Sequence, residues 1–244
     1  NACNAHSAAR IAVAGNIRHR QVHGLVERYF SHLKGGAVAD PGLSPRVHAG
    51  RCVRHKPHLE QTHVCLRTVS PPILSPERYC AHLLSNILGG GMSSRLFQNI
   101  RERRGLVYSI HSMLNLYRDA GTLIVYAGAA PDKAAEVVHL ILKEFKALRE
   151  NLVSPQELKR AKDYIKGSIL LSLESSSSRM TQLAQQLIYY DRFYSLEEVL
   201  TAVERITARD IRNLANTMFD SATLALTALS SRNGQDLNAA ALRG

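Results

Sequence analysis

The 244-residue sequence predicts an α+β fold: a two-layer α/β sandwich with helices packed on one face of a mostly antiparallel sheet. Three observations point there. Residues 62–70 alternate Val64, Leu66 and Thr68 against His63, Cys65 and Arg67, as a half-buried strand does. Residues 108–116 and 122–129 read as two more strands, joined by the hairpin-like Tyr117-Arg118-Asp119-Ala120-Gly121. Long amphipathic helices then follow the strands instead of alternating with them.

The elements are justified in order. RIAVAGN (residues 10–16) has the β-branched, apolar character of a strand. A helix over residues 19–33 follows, with Val22, Leu25, Val26, Tyr29 and Phe30 on one stripe. Glycines, prolines and Asp40-Pro41 mark residues 35–50 as a linker and a domain boundary. After the strand at 62–70, Pro71-Pro72 ends the run, and Ser75 with Pro76 can open a helix that reaches three consecutive glycines. Asp132 is placed to cap a helix carrying Ala135, Val138, Leu142, Phe145 and Leu148. Ser154-Pro155-Gln156-Glu157 is a capping box that opens another, with Leu158, Ala161, Ile165 and Ile169 inward. Ser195-Leu196-Glu197-Glu198 is a further capping box, and Thr207 to Asp210 opens a helix reaching Phe219. Residues 222–229 read as the last strand, and the polar tail at 232–244 as loose. The opening strand and helix echo the closing helix and strand, which hints at internal duplication.

Composition narrows the function. Hydrophobic residues make up 45% and charged residues 21%, so the chain is globular and not disordered. No apolar run approaches the roughly 20 residues that span a bilayer. Asn1 and Ala2 fit a cloning remnant, and the chain reads as beginning in mid-domain. Lys and Arg number 31 against 20 acids, a net charge of +11 that suits an anionic partner or simply a basic solvated surface. Cys3, Cys52, Cys65 and Cys80 form no CxxC and no zinc-knuckle spacing.

Residues 87–109, ILGGGMSSRLFQNIRERRGLVYS, pose the central question. A phosphate loop would need lysine and a hydroxyl after its second glycine, and a dinucleotide fingerprint would follow a strand. Neither condition holds. Nucleic-acid binding through Arg95, Arg101, Arg103 and Arg104 would need aromatic platforms, and Phe97 and Tyr108 are too few. His19 and His23 stand four apart with no glutamate between them. His55, His58 and His63 with Glu60 lack helical spacing, and neither HxxEH nor HExxH occurs.

This glycine-to-tyrosine motif strongly resembles the second half of the pitrilysin and mitochondrial-processing-peptidase family of zinc peptidases, the inverzincins. LEQTHVCLRTVS resembles the first strand of that half, and AKDYIKGSILLSLESSSSRMTQLAQQLIYY its long helix and the segment after it. RIAVAGNIRHRQVHGLVERYFSHL resembles the closing strand and helix of the preceding half. The implied fold is the LuxS/processing-peptidase-like metallohydrolase fold. Residues 1–34 would be a remnant of the catalytic half, 35–50 a linker and 51–231 the C-terminal domain.

The resemblance implies the second half of a zinc-dependent endopeptidase of HxxEH type, with zinc held by the missing first half and no metal ligand or catalytic residue in this chain. It implies a peptide-binding chamber closed by this half, peptide substrates, and pairing with the N-terminal catalytic half or in a homodimer or active/inactive subunit pair. It implies a soluble protein of cytoplasm or periplasm, or of the mitochondrial matrix if eukaryotic. A non-catalytic partner or scaffold subunit of the same fold is the alternative. Arg101 and Tyr108 match the family's arginine and tyrosine that reach the substrate. Gly89, Gly90 and Gly91 would form a side-chain-free loop facing the chamber, or simply end a helix. On local sequence alone, a surface ion pair for Arg101 and a core position for Tyr108 are the simpler reading. Residues 82–86, HLLSN, would stand where the zinc helix of the other half carries HxxEH.

Overall fold

The computed structural model describes residues 10–32, 45, 47–232 and 237. Cys3, Asn1, Ala2, most of the expected linker and all of the tail beyond 232 except Leu237 lie outside the described residues. The chain divides into two compact units, residues 1–44 with 166–199, and residues 45–165 with 200–244.

The larger unit is built on one five-stranded sheet, ordered β1-β5-β2-β4-β3. Its strands are β1 (Gly50–His55), β2 (Thr62–Ser70), β3 (Val107–Leu116), β4 (Gly121–Ala129) and β5 (Ala225–Ser230). Every pairing is antiparallel except β1 with β5. Helices α2 (Arg78–Gly89), α3 (Ala134–Glu150) and α7 (Ala208–Met218) belong to this unit, as does the start of α4 (Pro155–Ser172). This is the expected α+β architecture.

Alternation in the strands decides which face is covered. Val64 and Leu66 on β2, and Leu123, Val125 and Ala127 on β4, are buried and point one way. Against them, α3 presents Val137, Val138, Ile141, Phe145 and Leu148, spaced three and four apart on one stripe. The Phe145 and Phe219 rings stack with centroids 4.1 Å apart. Buried hydroxyls are satisfied locally: Thr62 pairs with Ser230 at 2.8 Å, and Thr68 donates to the Met218 carbonyl.

Several expectations need correction, the cap at Asp132 among them: α3 begins after Lys133, with no side-chain cap. Residues 10–16 are not a strand, because no strand among the described residues pairs with them. β1 was not expected at all. It is an edge strand with only Val53 half-buried, so it shows no alternating pattern, and its arginines blunt the exposed edge. Helix α2 starts at Arg78, not at Pro76, because the Ser75 hydroxyl accepts from Glu77 N in a turn before the helix. Ser154 does cap α4, accepting from Glu157 N at 3.1 Å, but the Glu157 carboxylate turns to Arg95 and closes no reciprocal box.

The smaller unit contains α1 (His19–Phe30), α5 (Ser176–Tyr190), the end of α4 and the start of α6 (Leu196–Glu204). A cleft of about 750 Å³ within it is lined by Ile11, Val13, Val22, Leu183, Leu187 and Phe193 among others.

The capping box of α7 makes stability pH-dependent. The Asp210 carboxylate accepts from Thr207 N and Thr207 Oγ1 at 2.8 and 2.7 Å. The backbone bond first, then the hydroxyl, hold its pKa below the ordinary value. A depressed carboxylate stabilises above its unfolded pKa, about 4, and loses that contribution as pH falls through the lower folded value. We expect Asp210→Ala to cost about 1 kcal/mol at pH 7. In urea unfolding across pH the gap to the wild type should shrink below about pH 4; a gap constant down to the acid limit would refute the linkage.

Candidate functional site

The three glycines do different things. Gly89 is the last residue of α2 and is buried, and a Cβ there would lie 2.6 Å from Ser112 N of β3. Around this approach Ser112 Oγ donates to the Ser85 carbonyl at 2.8 Å and lies 3.0 Å from Ser85 Oγ. Gly90 caps the helix, and a Cβ would meet Asn86 Cα at 2.6 Å. Gly91 is exposed with open space around it. Ser94, buried at 4% exposure, closes the turn by donating its hydroxyl to the Gly91 carbonyl at 2.5 Å.

The basic segment that follows is a π-helical turn, Phe97–Glu102, anchored by fully buried Leu96 and Ile100. Its arginines are mostly committed. Arg95 holds Glu157 through two bonds of 2.7 and 2.8 Å, and the bond to Glu157 raises the Arg95 pKa despite partial burial. Arg103 and Arg104 both donate to Asn99, to its side chain and its carbonyl. Arg101 is exposed, makes no ion pair or hydrogen bond among the described residues, and rests its guanidinium 4.8 Å from the centre of the Phe97 ring.

Gly105 ends this turn at φ +63°, a left-handed conformation that suits glycine. Gly105 N donates to the Arg101 carbonyl and Leu106 N to that of Ile100, each bond reaching one residue further back than in a Schellman ending. The strand β3 then begins with a bulge. Val107 pairs with Ala129 and Ser109 with Gly128, so Tyr108 is the extra residue. Val107 and Ile110 are both buried, and Tyr108 is 76% exposed.

Neither local alternative for these two residues therefore holds, since Arg101 has no counter-ion among the described residues and Tyr108 is outside the core. Sequence reasoning missed the bulge, although its signal was present. Val107 and Ile110 stand three apart, an odd spacing that a regular strand cannot place on one face.

The remaining candidates separate. His82 on α2 keeps part of its surface exposed although protein atoms crowd around its ring; that desolvation first, then the Arg78 charge, lowers its pKa. Ser85 is buried and Asn86 half-buried on that helix. His23 faces Glu27 at 3.4 Å, and His63 Nδ1 lies 2.8 Å from the Tyr126 hydroxyl. Among the described residues no three His, Cys, Asp or Glu side chains come together to hold a metal ion, so the donor set of the described residues does not fit zinc. No described helix is long and apolar enough to cross a membrane.

Residues 5–165 match the family described as the peptidase M16 inactive domain. An uncharacterized zinc protease of Mycobacterium leprae is 34% identical over 214 residues, covering 86% of this chain and 48% of that protein. The uncharacterized zinc protease YmxG of Bacillus subtilis is 31% identical over 209 residues, covering 86% of this chain and 51% of its own length. The chain thus spans about half the length of the curated relatives it matches. A protease from Helicobacter pylori superposes with a TM-score of 0.82 at 22% identity, over 89% of this chain and 53% of that one. A peptidase M16 inactive domain from Pseudomonas fluorescens gives 0.81 at 20% identity, over 89% and 52%. At these identities the two structures establish a common fold.

The glycine geometry yields a contrast. Gly89→Ala should destabilise the domain by about 1–3 kcal/mol, because its Cβ meets backbone and not a flexible side-chain tip. Gly91→Ala should stay within about 0.5 kcal/mol of the wild type. Chemical unfolding of both variants checks this, and equal effects would disprove the assignment of distinct roles.

Proposed function

The chain belongs to the peptidase M16 inactive-domain family, and we propose that it is the metal-free C-terminal half of a zinc-dependent endopeptidase that processes or degrades peptides. In this reading residues 1–34 belong structurally to the preceding catalytic half, 35–50 link the halves, and 51–231 form the half that closes the chamber. Zinc and the HxxEH motif would reside in the preceding half, which would be this chain's first partner. Relatives that carry the name zinc protease, and are about twice as long, support the reading.

The observation that carries it is the exposure of Arg101 and Tyr108 on either side of Gly105. One is a guanidinium with no counter-ion among the described residues, the other a phenol lifted out of the core by a bulge. Peptide hydrolysis builds negative charge on the former carbonyl oxygen. Arginine offers a fixed fork of donors and tyrosine a directional hydroxyl on a rigid ring. Donors aimed at such an oxygen contribute about 3–4 kcal/mol each. Gly89, Gly90 and Gly91 would border the substrate path, with Gly91 as the member free of packing duties.

In the full-length protein, Arg101→Ala and Tyr108→Phe should each lower kcat by roughly a hundredfold or more with little change in melting temperature. Unchanged turnover, or loss that tracks unfolding, would overturn their role. The 244-residue chain alone should show neither stoichiometric zinc by metal analysis nor chelator-sensitive cleavage. If the reading frame upstream of Asn1 holds no HxxEH, a non-catalytic partner subunit replaces the peptidase reading.

A further inference from the structure

The sheet of the larger unit has a second face, turned away from that unit's own helices. Its residues are the alternate positions of all five strands, running from Arg54 on β1 to His111 on β3. Not one of them is an aspartate or glutamate. Arg67 stands at the middle of this face on the central strand β2, opposite Ala225 on β5 and Ile124 on β4. Neither neighbour offers a side-chain acceptor. Arg67 is half-buried, its Nε is buried without a hydrogen-bond partner, and it enters no ion pair among the described residues.

The groups around it cannot neutralise it. Burial pushes up the pKa of the Cys65 thiol, two residues back on the same face, so that it is uncharged near pH 7. His63 and His111 gather on Tyr126 instead, one through a 2.8 Å contact to its hydroxyl and the other with ring centroids 5.2 Å apart. With Nε buried and no acceptor on either neighbouring strand, the guanidinium charge is unmatched, while the side chain is only half-buried; a carboxylate arriving at its open side would gain a charge-assisted bond.

The geometry points to an acidic, extended peptide as the occupant of this face, with an Asp or Glu side-chain carboxylate held in the fork of Arg67. This rests on the reading of the chain as a peptide-binding half. Charge complementarity selects the occupant. A basic peptide would meet Arg54 and Arg67 and no acid among the strand residues of this face, and a second copy of this chain would bring a net charge of +11 to it.

The test is calorimetric titration of the full chain with three terminally blocked peptides that differ only in carrying Glu, Gln or Lys at the same positions. Salt of about 0.15 M screens diffuse charge beyond roughly 8 Å. The Glu peptide should bind at least roughly tenfold tighter than the Gln peptide, in line with a charge-assisted bond gained. Arg67→Gln should abolish that preference, and Arg67→Lys, which keeps the charge but loses the fork, should retain part of it. Arg160→Gln, which removes the same charge from an exposed helical position, should retain all of it. Equal binding of Glu and Gln peptides, no binding of any peptide, or equal losses in Arg67→Gln and Arg160→Gln would overturn the proposal. Should Arg67→Gln fail to fold by circular dichroism, full preference in Arg67→Lys would overturn it as well. Turnover that still depends on Arg101 and Tyr108, without any acidic preference, would remove this inference and leave the peptidase reading standing.

Discussion

Helix α2 ends so close to β3 that only a glycine fits at position 89, and the rest of the motif is laid out from that contact. Beside it the Ser112 hydroxyl donates to the Ser85 carbonyl and pairs with the Ser85 hydroxyl, so the approach is held by polar groups as well as by the buried Leu84 and Leu88. Because the helix end is fixed on one strand, residues 90–106 must leave that point and return to the start of the same strand. The chain manages this with a short turn at Gly91, a compact helical segment and a left-handed glycine.

The two irregular features on that path have a common effect. A π-helical turn admits an extra residue per turn, and a β-bulge admits an extra residue per pair. Each breaks the periodicity that would otherwise assign every side chain to core or solvent. In the helical segment Leu96 and Ile100 remain buried while Arg101 stays free of the acceptors that occupy Arg95, Arg103 and Arg104. In the strand Val107 and Ile110 remain buried while Tyr108 is turned out. An arginine without a counter-ion among the described residues and an exposed tyrosine contribute little to stability where they stand.

Much of the fold was legible because one sheet face packs against helices of the same unit. That packing writes period-two alternation into β2 and β4, and the helices that cover the face carry matching stripes. The misreadings occur where that pressure is absent. The edge strand β1 has only Val53 to bury and left no pattern. Residues 10–16 have strand composition but no neighbouring strand among those described. Residues 222–229 read as strand from the start, yet Asp220 caps a 3₁₀ turn over Ser221–Thr223 and the ladder begins at Ala225. Glu157 was read correctly by position and wrongly by partner, since no local pattern announces an arginine 62 residues away. The candidate site followed the same logic. Arg101 and Tyr108 were picked out by resemblance, whereas strict alternation back from Ile110 would have buried Tyr108.

The same covered face sets the surroundings of residues 82–86 on α2. Residues 82–86 place His82 outside, Ser85 inside and Asn86 between them. Ser85 is 7% exposed and its hydrogen bonds are met by another serine, so the position is neutral and satisfied. A carboxylate there would be a buried charge facing Ser112 with no cation in reach, which costs several kcal/mol unless it takes up a proton or a metal. Among the described residues no three His, Cys, Asp or Glu side chains gather there to hold an ion that would offset that cost. With a neutral serine at position 85, α2 is a core helix whose packing against β3 at Gly89 is made by apolar and hydroxyl contacts. The helix end at Gly89 is thus a fixed point of the larger unit, from which the chain runs through exposed Arg101 to exposed Tyr108.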